Sequence, residues 1–391
     1  MAAIKFNHVR VTGIKTVVPE RYIDIDDEIQ FFGNNPKKLA RQKSMIGYGR
    51  RYVAGETTTV VDMACDAADR LFEEMQIDRA EIGLLVFVNQ KPDYVVPCDA
   101  CIAHGRLNLP KNCITLDVNL GCSGWVHGLL TATSILAGGA VKRAVVLAGD
   151  IPARDCPLDD RKSAPVFGDA ASATILEYTP EECLSTFVCG TDGKGWDKIV
   201  QPYGGAKLPH RKDTIEASVV NEESGAVWYL KNGIMRGEDV FNFTMEVVPP
   251  LIQETLKESG WGLQDIGCFS IHQANKQILE TIVERAGIPR ETTPVDVFSR
   301  YANNSTNSVV TVLCDKLNKR ATTRVIVVSF GVGLSWGAVA LDFKNLYNGG
   351  IATYMEKNET REYLIRRWTE FYQNKISSFD ESGEGMSEAE K

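Results

Sequence analysis

The chain has 391 residues, of which 44% are hydrophobic and 24% charged, and its formal net charge is −8 at pH 7. This balance predicts a folded globular protein that is large enough for one two-part domain or for two ordinary domains. The acidic charge argues against general nucleic-acid binding, which depends on clustered lysine and arginine. The sequence contains no apolar run of the length that spans a bilayer and no secretory leader pattern. We therefore expect a cytoplasmic protein without a membrane or nucleic-acid partner.

The first half alternates short apolar runs with amphipathic stretches. Apolar and β-branched residues predict strands at 83–89, 113–120, 143–149 and 172–178. Apolar residues at helical spacing predict helices at 59–75 and 124–139. This alternation indicates an α/β architecture with layered, largely parallel sheets.

The second half repeats this outline after a segment rich in glycine, proline and charge, which predicts a long loop or an insertion. Helices are predicted at 240–260, 276–287 and 308–319. Strands are predicted at 268–272, 324–331 and 336–343. We infer a duplicated α/β arrangement, without sequence repetition at short period.

The C-terminal segment departs from the pattern. Residues 359–376 predict an amphipathic helix, which either packs on the core of its own chain or contacts another chain. The acidic, small residues beyond Phe379 predict a disordered tail.

Ten cysteines are scattered through mostly apolar segments, which fits buried free thiols in a chain too large to need disulfides. Cys98, Cys101 and His104 have a spacing that suggests a metal site as an alternative. No second cysteine or histidine pair at finger-like spacing follows, so we predict no metal.

Cys122 lies in LDVNLGCSGWVHG, residues 116–128, at the joint between a predicted strand and a predicted helix. A thiol at a helix N-terminus is favoured as the thiolate by the helix dipole and free backbone N–H groups. Gly121 and Gly124 allow a tight turn and close approach of another backbone or a substrate. A buried structural cysteine beside a glycine-rich turn remains the alternative.

Three further segments carry polar groups at the ends of predicted elements. His272 ends an apolar strand in FSIHQANKQ, where a structural histidine is the alternative. Asn303 lies in RYANNSTNSVV, where an asparagine either caps the following helix or directs its amide N–H at a developing oxyanion. The glycine-rich turn in residues 329–341 is either a simple hairpin or a source of backbone N–H donors.

Together these segments resemble the beta-ketoacyl-acyl carrier protein synthase III family of thiolase superfamily condensing enzymes. GCSGW resembles the nucleophile motif of that family, HQAN at 272–275 is identical to its histidine motif, and ANNST at 302–306 resembles GNTSA. FGDAASA at 167–173 and the FGVGLSWG turn are similar to two further family motifs. The resemblance covers residues 4–344.

The resemblance implies a thiolase-like duplicated fold of two similar halves with layered α/β/α/β/α sheets. We divide the chain into an N-terminal half, 1–190, with the nucleophile; a C-terminal half, 191–345, with the histidine and asparagine; and an extension, 346–391. Residues 191–225 form a loop-rich insertion in the second half. The extension has no counterpart in the compact family members.

The resemblance also implies site residues. Cys122, His272 and Asn303 correspond to the catalytic residues, and the backbone N–H groups of Cys122 and Gly333 to the acyl oxyanion hole. The residues that match substrate-binding positions are Arg161, Phe241, Ala274, Asn275 and Val96. Val96 falls where a phenylalanine of a neighbouring subunit commonly closes the acyl pocket, so a smaller side chain there admits a longer or bulkier acyl group.

The implied activity is that of an acyltransferase in fatty acid and lipid biosynthesis. Cys122 takes an acyl group from acyl-CoA or acyl-acyl carrier protein (acyl-ACP), and malonyl-ACP then loses carbon dioxide and condenses with it. The implied partners are the acyl carrier protein and a second copy of the chain, with no cofactor beyond the thioester substrates. Two alternatives remain: acyl transfer to an oxygen or nitrogen acceptor, and a non-catalytic partner of a heteromeric synthase.

Overall fold

The computed structural model describes residues 2–156, 164–212, 218–220, 227–229, 232–357 and 359–373. The strands are β1 (Ala2–Phe6), β2 (Val9–Pro19), β3 (Tyr22–Asp24), β4 (Arg50–Tyr52), β5 (Leu84–Asn89), β6 (Ile114–Asn119), β7 (Arg143–Asp150), β8 (Ala170–Tyr178), β9 (Ser185–Thr191), β10 (Ile199–Val200), β11 (Ser218–Val220), β12 (Val227–Tyr229), β13 (Ile234–Met235), β14 (Ile266–Ile271), β15 (Arg320–Gly331) and β16 (Ser335–Tyr354).

The helices are α1 (Pro36–Ile46), α2 (Val60–Met75), α3 (Asp99–Arg106), α4 (Gly124–Leu136), α5 (Gly237–Ser259), α6 (Lys276–Ala286), α7 (Phe298–Tyr301), α8 (Ser308–Lys316) and α9 (361–373). Local sequence sets several of their ends. Thr59 and Asp62 form a reciprocal capping box at the start of α2. Gly287, with φ 62°, ends α6 where the sequence predicts the end of a helix.

One continuous sheet of ten strands has two parts, called here the first and the second sheet, that share one strand order. In the first, β5 is parallel to β7, β7 is antiparallel to β8, and β8 is antiparallel to β2, with β6 added beside β5. In the second, β14 is parallel to β15, β15 is antiparallel to β16, and β16 is antiparallel to β9, with β1 added beside β9. Because both the order and the directions repeat, the predicted duplication is a property of the fold.

Helices cover both faces of each sheet and form five layers. Helices α4 and α8 pack together between the sheets, with Trp125 and Val309 among their buried residues. Helices α2 and α3 cover the outer face of the first sheet, and α5 and α6 cover the outer face of the second. Along β5, Val86 faces the central layer and Leu85 the outer one, as the two-residue period of a strand requires. This is the predicted α/β/α/β/α layering.

The central helix α4 approaches the first sheet closely. A Cβ atom added to Gly128 would lie 2.4 Å from Val88 Cγ2, so a larger residue at that position would force the helix away from β5. The glycine therefore helps to fix the position of α4 and of Cys122 just ahead of it.

The long strand β16 joins the two sheets. Its first part pairs with β9 and β15, and its last part, Tyr347 to Tyr354, runs parallel to Gly13–Pro19 of β2. The chain therefore stays in the sheet to Tyr354, within the segment predicted as the extension, and the predicted start of the extension at residue 346 stays a prediction. The pattern was hidden because Asn348, Gly349 and Gly350 interrupt the apolar run at a register shift. The predicted division at residue 190 stays a prediction.

Helix α9 lies within the predicted amphipathic segment and is mostly exposed. Its contacts with the rest of the chain include the ring of Trp368 against that of Tyr94, at 5.8 Å between centroids, and an ion pair of Arg361 with Glu56. The predicted disordered tail lies outside the described residues. None of the helices in the described ranges combines the length and the apolar character needed to cross a bilayer.

Candidate active site

The carboxyl ends of five strands meet at one place in the molecule. Cys122 follows β6, Gln90 follows β5, and Asp150 ends β7 in the first sheet. His272 follows β14 and Gly331 ends β15 in the second sheet. Since the edge formed by strand carboxyl ends is the usual binding edge of an α/β sheet, polar side chains from both halves are brought to one site.

Cys122 lies in a crowded turn two residues ahead of α4. A Cβ atom added to Gly121 would come within 2.4 Å of Val332 Cγ1, and one added to Gly331 within 2.8 Å of Cys122 Sγ. The Cys122 sulfur lies 3.7 Å from the Ser305 hydroxyl oxygen. The two glycines thus let the turn after β15 lie directly against the sulfur.

Burial raises the pKa of the Cys122 thiol, and the negative charge of Asp150 raises it further. The Ser305 hydroxyl and the backbone N–H groups of Val332 and Cys122 lower it, but by less than burial raises it. Burial and the backbone donors at the helix N-terminus therefore act in opposite directions on the pKa of this thiol, and the expected preference for the thiolate stays a prediction.

His272 is buried at the end of β14. Its Nδ1 lies 2.6 Å from the Ser308 hydroxyl oxygen, and its ring packs edge-on against Phe330 with centroids 5.3 Å apart. Burial lowers the pKa of the imidazole to about 4, so His272 is neutral at pH 7. When the Ser308 hydroxyl donates to Nδ1, the ring carries its proton on Nε2 and can donate from there.

Asn303 is fixed by its backbone and by its side chain. Its N–H donates to Val166 O (2.8 Å), and its carbonyl accepts from Gly168 N (3.1 Å). Its Oδ1 accepts from the Ser305 N–H (2.9 Å). The asparagine thus turns the chain ahead of α8 but does not cap that helix, whose N-cap residue is Asn307. Within the described part of the chain its amide nitrogen has no acceptor.

The segment 303–308 connects the three predicted catalytic residues. It contains Asn303 itself, places Ser305 against the sulfur of Cys122, and places Ser308 against the ring of His272. The structure therefore brings the three residues into one cluster.

Sequence reasoning missed three polar residues of this cluster, Gln90, Asp150 and Ser305. Gln90 Nε2 donates to Ser305 Oγ (3.2 Å) and to Asp150 Oδ2 (3.3 Å). The Asp150 carboxylate also accepts from the N–H groups of Thr306 (3.1 Å) and Gln90 (3.2 Å). The signal available for Gln90 and Asp150 was their position at the carboxyl ends of neighbouring parallel strands, which meet at one edge of a sheet.

Gly333 lies in the turn between β15 and β16, with φ 135°. The backbone donors that act on the sulfur in the free enzyme are those of Val332 and Cys122. The assignment of the Gly333 N–H to the oxyanion hole stays a prediction.

The predicted substrate-binding residues lie in different settings. Phe241 packs on the core at the start of α5, and Ala274 is half-buried beside His272. Asn275 caps α6 by accepting from the Ile278 N–H (2.9 Å). Val96 is 80% exposed, ahead of α3. Arg161 lies outside the described residues.

The predicted alternative of a metal at Cys98, Cys101 and His104 finds no support in the geometry. The two sulfurs lie 3.4 Å apart, but His104 Nε2 contacts Pro110 O at 3.1 Å. No group of three or more histidine, cysteine or acidic side chains with metal-binding geometry occurs within the described ranges.

The first comparison with known proteins is by family sequence profiles. The profile described as 3-oxoacyl-(acyl-carrier-protein) synthase III matches residues 116–193, and its C-terminal profile matches residues 256–343. A Campylobacter jejuni protein named as a putative 3-oxoacyl-(acyl-carrier-protein) synthase 3 is 33% identical over 354 residues, which cover 90% of this chain and 99% of that protein. The chain belongs to the beta-ketoacyl-acyl carrier protein synthase III family.

Other members of the synthase III family agree with this assignment. A beta-ketoacyl-(acyl-carrier-protein) synthase III of Clostridium perfringens is 28% identical over 339 residues, 85% of this chain and 99% of that protein. The crystal structure of a 3-oxoacyl-(acyl-carrier protein) synthase from Burkholderia xenovorans superposes with a TM-score of 0.82 at 29% identity, covering 90% of this chain and 99% of that one. The thiolase-like fold implied by the sequence is therefore confirmed, and the chain is an enzyme of the synthase III family.

Proposed function

We propose that this synthase III family member catalyses decarboxylative Claisen condensation of an acyl group held on Cys122 with a malonyl thioester. The observation that carries the proposal is the joining of Cys122, His272 and Asn303 by one segment, residues 303–308. The names of the relatives specify synthesis of a 3-oxoacyl group on acyl carrier protein and so support that protein as a partner. We propose acyl-CoA or acyl-ACP as donor, malonyl-ACP as extender, and a place in fatty acid or lipid biosynthesis in the cytoplasm.

In the first half-reaction, Cys122 sulfur attacks the carbonyl carbon of the donor thioester. The negative charge develops on the carbonyl oxygen, which the backbone N–H groups of Cys122 and Gly333 are proposed to bind. Collapse of the tetrahedral intermediate breaks the bond to the donor thiol and leaves the acyl group on Cys122. The proposed half-reaction uses no cofactor.

In the second half-reaction, the malonyl group loses carbon dioxide and leaves an enolate. An enolate oxygen needs hydrogen-bond donors rather than a base. Neutral His272 with its proton on Nε2 and the amide nitrogen of Asn303 can both donate. The enolate carbon then attacks the acyl group, and the beta-ketoacyl thioester leaves as the Cys122–acyl bond breaks.

For the other sites, we propose that Phe241, Ala274, Asn275 and Arg161 bind the thioester arm. We further propose a homodimer in which Val96 approaches the acyl pocket of the other subunit. Two features support the dimer: β6 pairs only with β5 among the described strands, and Ile114 at its start is 48% exposed. An unpaired strand edge with exposed apolar side chains offers backbone groups that can pair with another chain.

The test is intact-protein mass spectrometry after incubation with a panel of acyl-CoA and acyl-ACP donors, followed by addition of malonyl-ACP. We expect one donor to add its acyl mass to Cys122 and malonyl-ACP to remove it as a beta-ketoacyl product with release of carbon dioxide. Loss of the acyl group to an alcohol or amine acceptor without carbon dioxide would instead establish heteroatom acyl transfer.

A further inference from the structure

Ser123 follows Cys122 directly and is the N-cap residue of α4. A serine at this position usually accepts a hydrogen bond from a backbone N–H of the first helical turn. Ser123 makes no such bond, although its side chain is fully buried. Its hydroxyl oxygen lies 2.7 Å from that of Ser335, at the start of β16 in the second sheet. A local capping bond is thus replaced by a contact between the two sheets.

The direction of this hydrogen bond follows from the next one along the chain of hydroxyls. The Ser335 hydroxyl donates to Val332 O at 2.8 Å. A serine hydroxyl has a single hydrogen, so the Ser335 oxygen must be the acceptor in its bond with Ser123. The two bonds therefore run from Ser123 through Ser335 to Val332 O. Both serines are buried, at 0% and 2% exposure, so that loss of either bond leaves a buried polar group without its partner.

Val332 O belongs to the same peptide unit as the N–H of Gly333, which is predicted to bind the acyl oxyanion. The peptide bond between these two residues is trans. In a planar trans unit the C=O and the N–H point in opposite directions, so a bond that fixes one of them also fixes the other. The Ser335 hydroxyl therefore helps to determine where the Gly333 N–H points.

The turn that contains Gly333 lies against the nucleophile. A Cβ atom added to Gly331 would lie 2.8 Å from Cys122 Sγ. On the other side of the turn, Leu334 and Asp192 exchange two backbone hydrogen bonds, of 3.2 and 2.9 Å. Backbone bonds thus hold the outer part of the turn, and the two serine hydroxyls hold the part next to the sulfur.

We propose that Ser123 and Ser335 are positioning residues for the acylation of Cys122, and that their hydrogen-bonded chain directs the Gly333 N–H toward the acyl oxyanion. Their effect on the reaction passes through the backbone of the turn. The inference rests on the proposed function, in which the N–H groups of Cys122 and Gly333 bind the developing negative charge. A misdirected donor stabilises this charge less, even though it is still present.

A positioning role predicts a selective loss of activity. Malonyl decarboxylation uses the donors of His272 and Asn303, so removal of either serine hydroxyl should leave its rate unchanged. The two serines should also act as one unit, because the Ser123 hydroxyl reaches the turn only through Ser335. Two independent packing contacts would instead give losses that multiply in the double variant.

The experiment measures single-turnover acylation at pH 7 by rapid quench and intact mass, with whichever of acetyl-, octanoyl- and dodecanoyl-CoA acylates the unmodified enzyme fastest. Carbon dioxide release from malonyl-ACP without an acyl donor is measured in parallel. The variants are Ser123→Ala, Ser335→Ala and the double variant. The control is Ser259→Ala in the outer helix α5, which removes another buried hydroxyl that donates to a backbone carbonyl, Leu256 O at 3.0 Å. Thermal unfolding checks that each variant folds.

We expect Ser123→Ala and Ser335→Ala each to lower the acylation rate about tenfold, and the double variant to lower it no further. Carbon dioxide release should stay within about twofold of that of the unmodified enzyme in all three variants, and Ser259→Ala should change neither rate.

Three results would overturn the proposal: acylation by Ser335→Ala within about threefold of the unmodified enzyme, an equal fall in carbon dioxide release, or losses that multiply to about 10² in the double variant. If Ser335→Ala does not fold, Ser123→Ala decides by the first two of these criteria. Failure of the unmodified enzyme to take any of these acyl groups on Cys122, or to release carbon dioxide, would instead count against the proposed function.

Discussion

Cys122 and Asn303 hold equivalent places in the two halves of the molecule. Cys122 lies just ahead of α4, the helix that leads into β7, and Asn303 lies just ahead of α8, the helix that leads into β15. Strands β7 and β15 occupy the same position in their sheets. One place in the repeated fold thus carries a nucleophile in the first half and an amide in the second.

Gln90 and His272 form a second equivalent pair, after β5 and β14. Gln90 donates to Asp150 and to Ser305, whereas His272 contacts Ser308 and stays neutral. The first half therefore presents a thiol beside a carboxylate, and the second half presents two neutral donors. Under the proposed function, different side chains at matched strand ends divide acyl transfer and enolate stabilisation between the two halves.

The largest loss of activity is expected for Cys122→Ala, which changes the first half of the molecule only. Cys122→Ala should abolish self-acylation, because no other side chain in the cluster is a thiol, while malonyl decarboxylation by the second half continues. Intact mass and carbon dioxide release measure the two steps. Cys113→Ala, a half-buried cysteine outside the cluster, is the control and should acylate normally. An acyl group mapped to any other cysteine in the unmodified enzyme would refute the assignment.

The second prediction removes a donor from the other half. His272→Ala should lower the condensation rate by about 10² to 10³, the usual loss for one oxyanion donor, and slow acylation much less. In the unmodified enzyme, His272 stays neutral as the pH falls until about pH 4. The second half-reaction, measured from the preformed acyl-enzyme, should therefore show no change from His272 ionisation between pH 6 and 8. A titration of that step near pH 6.5, lost in His272→Ala, would show that the imidazole titrates normally.

The third prediction separates the two functions of Asn303. Asn303→Asp keeps the oxygen that accepts from the Ser305 N–H. It replaces the amide nitrogen, a donor, with a carboxylate oxygen, which when ionised only accepts. We expect both Asn303→Asp and Asn303→Ala to lower condensation by about 10². If Asn303→Asp retained condensation within about threefold while Asn303→Ala did not, the asparagine would serve only to turn the chain ahead of α8.

The smallest effect is expected at Ser308, which acts through His272. Ser308→Ala removes the hydroxyl that contacts Nδ1 of His272. Without it, the proton of the neutral ring can lie on Nδ1 instead of Nε2, where it is no longer available as a donor. We expect about a tenfold loss in condensation with acylation unchanged, measured in the same two assays. The matched control is Ser329→Ala, which removes a buried hydroxyl without a hydrogen-bond partner among the described residues, and an equal loss in both variants would indicate general destabilisation.

The layered fold was predictable from the sequence, and so was the cluster formed by Cys122, His272 and Asn303, whose catalytic roles stay a proposal. The buried strand β5 and the helix α4 gave clear periodicity, and three motifs identified Cys122, His272 and Asn303. Asp150 and Gln90 were not predictable, because an acidic residue at a strand end and a glutamine in a loop have many ordinary structural functions. Only the register of β5 beside β7 brings these two side chains together.

The C-terminal end of β16 was missed for a different physical reason. Asn348 and two glycines break the apolar alternation by which strands are recognised. Yet Asn348 Nδ2 donates to two carbonyls at the end of α8, Cys314 O (3.1 Å) and Leu317 O (2.7 Å). Tertiary hydrogen bonds thus hold a segment whose local sequence predicts a loop.

The most direct test of the division between the halves is to follow the acyl-enzyme of His272→Ala after malonyl-ACP is added. Rapid quench and intact mass report the fraction of Cys122 that keeps its acyl group. The two-half account predicts that this variant acylates at close to the normal rate and then retains the acyl group about 10² to 10³ times longer than the unmodified enzyme. Failure to acylate, or loss of the acyl group at the normal rate, would contradict it.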